Sequence, residues 1–221
     1  MNVLYYIPII ENNNLDKVLK YASQERKQII QGYKSEIDKK IYIYTGIFVK
    51  MMAAKILNLP YSKIEIGKME YGKPYIKNNP SFHYNCSHTK NAFCIVFSNE
   101  PVGIDIEKIE RKSYKNFYNV AKRFFSENEF LYFFSNGNED IECFFEIWTK
   151  KEAYLKLKGT GLNTPLSSFC VFDEKISNKF KSLKKDNNYI SLCCNTESTT
   201  FKFIELNEND ILNMLKNIKI I

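Results

Sequence analysis

The sequence predicts an α+β protein, and three observations support this class. Residues 15–57 form a long basic, amphipathic stretch that favours helices, and residues 142–158 combine strong helix formers. Residues 92–97 are apolar and residues 102–107 alternate between apolar and other residues, and both patterns are typical of strands. The order helix, strands, hairpin, helices and strands is typical of the α+β class. Length alone allows one large domain or two small, closely packed ones.

The predicted elements of the N-terminal part follow from apolar spacing and turn signals. They are a strand over 3–9, one or two helices over 15–57 ended by Leu59-Pro60, and short extended segments between 64 and 85. The turn from Ser98 to Pro101 joins an apolar strand over 92–97 to an alternating strand over 102–107. We therefore predict that these two strands pair as a hairpin.

The C-terminal part is predicted to begin with helices and to end with strands and a final helix. Its predicted elements are a helical region over 116–134 with a break near Ser126, a loop at 136–140, a helix over 142–158, strands at 169–172, 189–194 and 199–204, and a helix near 210–218. Gly159 is a natural residue for the end of the second helix.

The charge of the chain favours an anionic partner. Lysine and arginine number 32 against 25 acidic residues, which gives a formal net charge of +7. Nucleic acid, a phosphorylated small molecule, an acidic protein and a membrane surface all suit this charge, and so does the alternative that the lysines only keep the protein soluble.

The sequence shows neither a targeting signal nor the cysteine spacing of a zinc site, which predicts a cytoplasmic protein without zinc. The N-terminal sequence MNVLYYIPII lacks a basic region and a cleavage site, and no apolar run reaches the roughly 20 residues of a membrane span. The 6 cysteines are scattered without CxxC or Cys/His spacing. Free thiols in a reducing compartment are the expected state.

The first candidate site is PVGIDIEKIE, residues 101–110. Asp105 and Glu107 lie on one face of the predicted strand, where their oxygens could share one hard divalent cation. Gly103 would leave room for a ligand to approach the backbone. The alternative is an ordinary solvated strand face.

The second candidate is WTKKEAYLKLKGTGL, residues 148–162. Glu152 and Lys156 lie four residues apart on one helical face, and Trp148, the only tryptophan, lies one turn before Glu152. An exposed Glu/Lys pair is the alternative interpretation.

The third candidate is NCSHTKN, residues 85–91. Ser87 and His88 could bind phosphate through a hydroxyl, backbone N–H groups and a ring nitrogen, although a lone histidine in a turn is also common. Covalent catalysis by Cys86 is disfavoured because sequence neighbours rarely place a thiol on its base.

Two of these stretches together, GIDIEK (103–108) and WTKKEAYLK (148–156), resemble the paired signature of the Sfp-type 4'-phosphopantetheinyl transferases, and the spacing of Glu107 and Glu152 is similar to that of the family. The resemblance extends to four flanking stretches: YGKPYI (71–76), SFHYNCSHTKN (81–91), AKRFFSENEF (121–130) and GTGLNTPLSSF (159–169). It therefore covers most of the chain.

The resemblance implies a fold and a reaction. The fold would consist of two similar α+β halves related by a pseudo-twofold axis, residues 1–101 and 102–221, with the active site in the cleft between them. The reaction would transfer the 4'-phosphopantetheine arm of coenzyme A to a serine of an acyl or peptidyl carrier protein, with Mg²⁺ as cofactor, and release adenosine 3',5'-bisphosphate. Members of this type act as monomers.

The resemblance also implies the chemistry of the site. Asp105, Glu107 and Glu152 would hold Mg²⁺, and Lys156 would contact the coenzyme A phosphates and stabilise the leaving group. Glu152, Lys156 and Asp105 are thus the expected catalytic residues. The expected general base is Glu152, directly or through a metal-bound water, with Glu129 as the alternative.

The coenzyme A contacts implied by the resemblance are more widely spread. Lys73 and Pro74 would lie along the adenine and ribose, Ser87 and His88 would bind phosphate, Arg26 would grip the 3'-phosphate, and Lys151 would reach the nucleotide. The chain departs from the family where Ile29 and Ile41 replace basic residues, and three nearby lysines could substitute: Lys27, Lys39 and Lys40.

The expected partner is an acidic carrier protein, which the positive charge would steer, with docking residues sought around 117–134. Its pathway, whether fatty acid, polyketide or nonribosomal peptide synthesis, stays open. The alternative is a noncatalytic module of the same fold that binds carrier proteins or nucleotides. Nucleic-acid binding is disfavoured, since no zinc finger or aromatic RNA-binding signature is present, and no membrane partner is expected.

Overall fold

A computed structural model describes residues 2–9, 15–110, 114–136, 141–197 and 200–218. The chain divides into two compact units. The first unit comprises Met1–Lys68, Pro74–Asn99 and Phe201–Ile221, and the second comprises Met69–Lys73 and Glu100–Thr200.

Helices and strands alternate in groups along the chain. The first group is β1 (Val3–Pro8), α1 (Leu15–Leu19), α2 (Gln24–Ile29), α3 (Glu36–Leu57), β2 (Ile66–Lys68), β3 (Pro74–Ile76), β4 (His83–His88) and β5 (Ala92–Ser98). The second is β6 (Val102–Lys108), α4 (Tyr114–Phe124), α5 (Glu127–Asn136), α6 (Glu142–Lys158), α7 (Glu174–Ser177), β7 (Phe180–Lys185) and β8 (Asn188–Cys194). The chain ends with β9 (Lys202–Glu205) and α8 (Glu208–Lys216).

The first unit is a four-stranded sheet packed against the long helix α3. The strand order is β4-β5-β1-β9, with β1 antiparallel to β5 and parallel to β9. The Ser35 side chain caps the start of α3 by accepting the Asp38 N–H, and Asn58 in the left-handed conformation ends it. The Phe48 ring of α3 packs edge-on against Tyr5 of β1, with ring centroids 5.0 Å apart.

The C-terminal segment belongs to the first unit. Strand β9 continues the sheet beside β1, and the Lys40 ammonium of α3 pairs with the Glu208 carboxylate at the start of α8 at 2.7 Å, with both side chains buried. The structure therefore departs from the predicted division into 1–101 and 102–221. The long segment of the second unit begins at Glu100, and residues 201–221 belong to the N-terminal unit because their strand pairs there.

The second unit is an antiparallel sheet of order β6-β8-β7 that packs against α6. The Thr149 hydroxyl of α6 lies 2.7 Å from the Ser191 hydroxyl of β8, and both side chains are fully buried. Much of the remaining core is aromatic, and its rings pack among one another: Phe117, Phe125, Phe133, Phe144 and Phe145.

The structure confirms the α+β class and corrects two local predictions. Strands β5 and β6 do not form a hairpin, because β1 and β4 occupy the two edges of β5, whereas β6 pairs with β8. Residues 169–172 are not a strand but a turn region between a short 3-10 helix and α7, and the strand β7 was not predicted. No helix within the described part of the chain has the length and apolar character needed to cross a bilayer.

Candidate active site

Strand β6 and helix α6 bring four of the predicted site residues together in the second unit. Asp105 lies in the middle of β6 and is only 4% exposed. The Lys156 ammonium in the last turns of α6 donates to its Oδ1 at 2.6 Å. Glu152 precedes Lys156 by about one turn, so both side chains lie on one helical face.

Gly103 allows this close approach of strand and helix. A Cβ at this position would lie 2.0 Å from the Ala153 carbonyl oxygen and 2.4 Å from the Leu157 nitrogen, both of the α6 backbone. Only glycine therefore fits. The expectation that Gly103 leaves room for a ligand was wrong, because the helix itself takes that space.

The carboxylates of the site lie close enough to one another to repel. Burial, and then the charge of Asp105, raises the pKa of Glu107 to about 7, and Glu152 adds to this rise. Burial and Asp105 likewise raise the pKa of Glu152. The Lys156 ammonium opposes both shifts. The structure thus gathers Asp105, Glu107, Glu152 and Lys156 into one electrostatically coupled cluster.

Trp148 is a member of this cluster that sequence reasoning singled out without assigning a role. Its indole donates a hydrogen bond to Glu107, which lowers the pKa of that carboxyl. The ring is fixed by stacking on Phe144 and by an edge contact with Phe124. The sequence signal for its place in the cluster was its position one helical turn before Glu152.

The three carboxylates fit Mg²⁺ by the chemistry of their donors. Hard carboxylate oxygens on adjacent elements are ligands that Mg²⁺ accepts, and a cation would relieve the repulsion between them. In the described portion of the chain, however, no three acidic, histidine or cysteine side chains already form a metal-binding group. The Lys156 ammonium already contacts one oxygen of Asp105, Oδ1.

Lys151 and Glu129 lie outside this cluster. The Lys151 ammonium donates to Glu129 Oε2 at 2.5 Å and to the Phe169 carbonyl at 2.7 Å, and the side chains of Lys151 and Glu129 are completely buried. Glu129 also accepts the backbone N–H groups of Ser126 and Val171, each at 2.7 Å. This burial contradicts the expectation that Lys151 reaches a nucleotide, and it removes Glu129 as an accessible general base.

Lys73 lies in the second unit, where its ammonium contacts backbone carbonyl groups. Its ammonium donates to the carbonyls of Leu157 and Val102, at 2.9 and 3.3 Å. Burial lowers the pKa of Lys73 to about 8.

The other predicted coenzyme A contacts lie in the first unit. The Arg26 guanidinium donates to the Tyr42 carbonyl at 2.7 Å and lies over the Tyr42 ring. Ser87 is buried near the end of β4, where His88 is exposed. Pro74 begins β3 and is half-buried.

Two models of known protein families match the sequence of this chain. The family model described as the 4'-phosphopantetheinyl transferase superfamily matches residues 101–211, the region that contains the whole acid and lysine cluster. The chain belongs to the 4'-phosphopantetheinyl transferase superfamily. A second model, described as 4'-phosphopantetheinyl transferase, N-terminal, matches residues 10–100.

Named relatives support membership of this transferase superfamily and of its Sfp-type branch. The chain is 34% identical over 151 residues to the 4'-phosphopantetheinyl transferase gsp of Aneurinibacillus migulanus, across 68% of this chain and 61% of that protein. It is 30% identical over 165 residues to the 4'-phosphopantetheinyl transferase Sfp of Bacillus subtilis strain 168, across 74% of this chain and 71% of that protein. A phosphopantetheinyl transferase of Rattus norvegicus, named for L-aminoadipate-semialdehyde dehydrogenase, is 28% identical across 62% of this chain and 48% of its own length.

Proposed function

We propose that this protein transfers the 4'-phosphopantetheine group of coenzyme A to a serine of an acyl or peptidyl carrier protein and releases adenosine 3',5'-bisphosphate. The observation that carries the proposal is the coupled cluster of Asp105, Glu107, Glu152 and Lys156 within the region matched by the superfamily model. Clustered acids beside a lysine suit reaction at a pyrophosphate, where negative charge develops on the leaving phosphate.

Each residue of the cluster has a proposed role. Lys156 stabilises the negative charge of the leaving phosphate through its ammonium, which lies beside Asp105. Glu152 accepts the proton of the carrier serine through its carboxylate, which lies on the same helical face as Lys156. Asp105, Glu107 and Glu152 would hold Mg²⁺, which when bound supplies neutralisation of the pyrophosphate charge.

Residues of the first unit are proposed to bind the nucleotide end of coenzyme A. Arg26 recognises the 3'-phosphate, because its guanidinium is oriented by Tyr42 and carries a permanent charge. Ser87 and His88 bind phosphate, and Pro74 lies along the adenine.

The carrier protein is proposed to be acidic and to dock on α5 of the second unit. Among the residues considered for docking, Phe117 and Phe133 are buried in the core, whereas Leu131 and Phe134 are 56% and 53% exposed. An exposed apolar pair suits a protein partner, and the net charge of +7 would attract an acidic one. The proposal includes a monomeric enzyme, as the Sfp-type resemblance implies, in the reducing cytoplasm that scattered cysteines favour.

The test is a transfer assay read by mass spectrometry. The purified protein is incubated with coenzyme A, Mg²⁺ and an apo carrier protein, and the carrier is expected to gain about 340 Da through one covalent phosphopantetheine. Chelation of Mg²⁺, Asp105→Asn and Glu152→Gln should each abolish the gain in mass. Glu70→Gln, at an exposed position, is the matched control and should transfer normally.

Carriers from fatty acid, polyketide and nonribosomal peptide synthesis are tested separately, which would also identify the pathway. No mass gain with any of them would contradict the proposal. The contrary result would be an affinity for the carrier, measured by calorimetry, that does not change with coenzyme A and Mg²⁺. Such a result, without turnover, would favour a noncatalytic binding module.

A further inference from the structure

The Lys73 side chain joins the two elements that carry the acid cluster. It lies in the short segment Met69–Lys73, which belongs to the second unit although its neighbours in sequence belong to the first. Its ammonium donates to the carbonyl of Leu157 near the end of α6 and to the carbonyl of Val102 at the start of β6. One cation therefore contacts both elements.

The helix end makes this contact favourable. The last carbonyls of a helix have no partner within the helix, and they carry the negative end of its dipole. The Lys73 ammonium supplies a donor and a positive charge at this position. A Cβ on Gly159, the left-handed residue that ends α6, would lie 3.2 Å from the Lys73 Cδ, so the lysine stem packs over the helix end.

Both carbonyl partners of Lys73 lie within three residues of a proposed catalytic residue. Leu157 follows Lys156 directly, and Val102 lies three residues before Asp105 on the same strand. The Lys156 to Asp105 ion pair spans the same two elements. Loss of the Lys73 contacts would let the end of α6 and the start of β6 separate, which would alter the geometry of that ion pair.

We propose that Lys73 is a positioning residue that holds β6 against the end of α6, rather than a residue whose ammonium binds the nucleotide. The two roles predict different kinetics. Loss of a positioning residue lowers kcat and leaves the KM for coenzyme A nearly unchanged, whereas loss of a nucleotide contact raises that KM. The kinetic part of this proposal rests on the proposed transferase function, and the structural part does not.

The experiment compares Lys73→Met with wild type. Methionine keeps an apolar stem and removes the ammonium, and Lys68→Met, at an exposed position in β2, is the matched control. Hydrogen exchange is measured first, on the full chain without ligands. We expect amides at the end of α6 and the start of β6 to exchange at least about tenfold faster in Lys73→Met, because a charge-assisted hydrogen bond is lost, and amides of α3 to be unaffected.

Transfer kinetics with coenzyme A and an apo carrier protein form the second readout. The expected result for Lys73→Met is a fall in kcat of at least about tenfold with less than about a twofold change in KM for coenzyme A. Unchanged exchange together with a raised KM would overturn the proposal and assign Lys73 to the nucleotide site. If Lys73→Met does not fold, Lys73→Gln retains a shorter N–H donor and is judged by the same two criteria. A wild-type protein without transfer activity would contradict the proposed function. The exchange measurement would still test whether Lys73 holds β6 against the end of α6.

Discussion

Replacement of Glu107 by glutamine is expected to stabilise the metal-free protein, and to do so much more at pH 8 than at pH 5. Burial and the neighbouring Asp105 raise the pKa of Glu107 from 4.5 to about 7. The folded protein therefore binds more protons than the unfolded chain between these values, so its stability falls as pH rises through that window. Above pH 7 the full cost of the buried charge is present, and below pH 4.5 it is absent.

The magnitude follows from the shift. At about 1.4 kcal/mol per pKa unit, the cost of ionised Glu107 is at most about 3 kcal/mol at pH 8 and under about 1 kcal/mol at pH 5. Partial solvent access reduces both values. We expect Glu107→Gln to increase the free energy of unfolding by about 2 kcal/mol more at pH 8 than at pH 5.

The assay is urea unfolding at both pH values in the presence of a chelator, with Glu70→Gln as the exposed control. Glutamine retains an oxygen that can accept the Trp148 indole N–H, so packing effects should be similar at the two pH values and cancel in the difference. Equal changes in stability at pH 5 and pH 8 would refute the reasoning. Addition of Mg²⁺ should stabilise wild type more than Glu107→Gln at pH 8, because only wild type retains all three carboxylates.

Three further substitutions test contacts described above. A Cβ on Gly46 would lie 2.1 Å from the Arg26 Cζ, so Gly46→Ala moves the guanidinium without removing its charge. The KM for coenzyme A should rise roughly tenfold, and the KM for 3'-dephospho-coenzyme A should not change. Equal rises in the two KM values would contradict phosphate recognition by Arg26. Lys151→Met leaves the Glu129 carboxylate buried without its cation and should cost about 3–5 kcal/mol in urea unfolding, and a cost under about 1 kcal/mol would contradict this. Gly103→Ala forces β6 away from α6 and should cost at least about 3 kcal/mol, measured by thermal unfolding.

Two controls accompany these substitutions. No atom lies within 4 Å of a Cβ built on Gly32, so Gly32→Ala should change stability by less than about 0.5 kcal/mol, and a larger loss would show that alanine itself is not tolerated. The double variant Glu129→Met with Lys151→Met removes the uncompensated charge and should regain only part of the stability lost in Lys151→Met, because the backbone N–H groups of Ser126 and Val171 lose their acceptor.

Each half of the acid cluster could be predicted from sequence because its spacing has a simple geometric meaning, whereas only the family resemblance implied that the two halves meet. Residues two apart on a strand share a face, and residues four apart on a helix share a face, so Asp105 with Glu107 and Glu152 with Lys156 were correctly grouped. The role of Lys151 could not be predicted in this way. One residue along a helix turns a side chain by about 100°, and that turn carries Lys151 into the core while Glu152 stays at the site.

Strand partners were harder to predict than strands. The apolar pattern identified β5 and β6, but pairing depends on which edges are already occupied, and this is a property of the whole sheet. Strand β7 has the sequence FKSLKK, in which lysines obscure the apolar alternation because much of the strand faces solvent. The family resemblance implied that Lys73 lies at the nucleotide, and the sequence could not reveal its carbonyl contacts because those partners lie 29 and 84 residues away.

The pairing of β9 with β1 has a consequence for synthesis on the ribosome. Residues 100–200 of the second unit emerge as one nearly continuous stretch, whereas the sheet of the first unit lacks its last strand until the C-terminal residues leave the exit tunnel. We expect the second unit to fold before the first during synthesis, in contrast to the usual order in which the N-terminal domain folds first. Deletion of β9 and α8 would then impair maturation of the N-terminal sheet, because the edge of β1 and the buried Lys40 would both lose their partners.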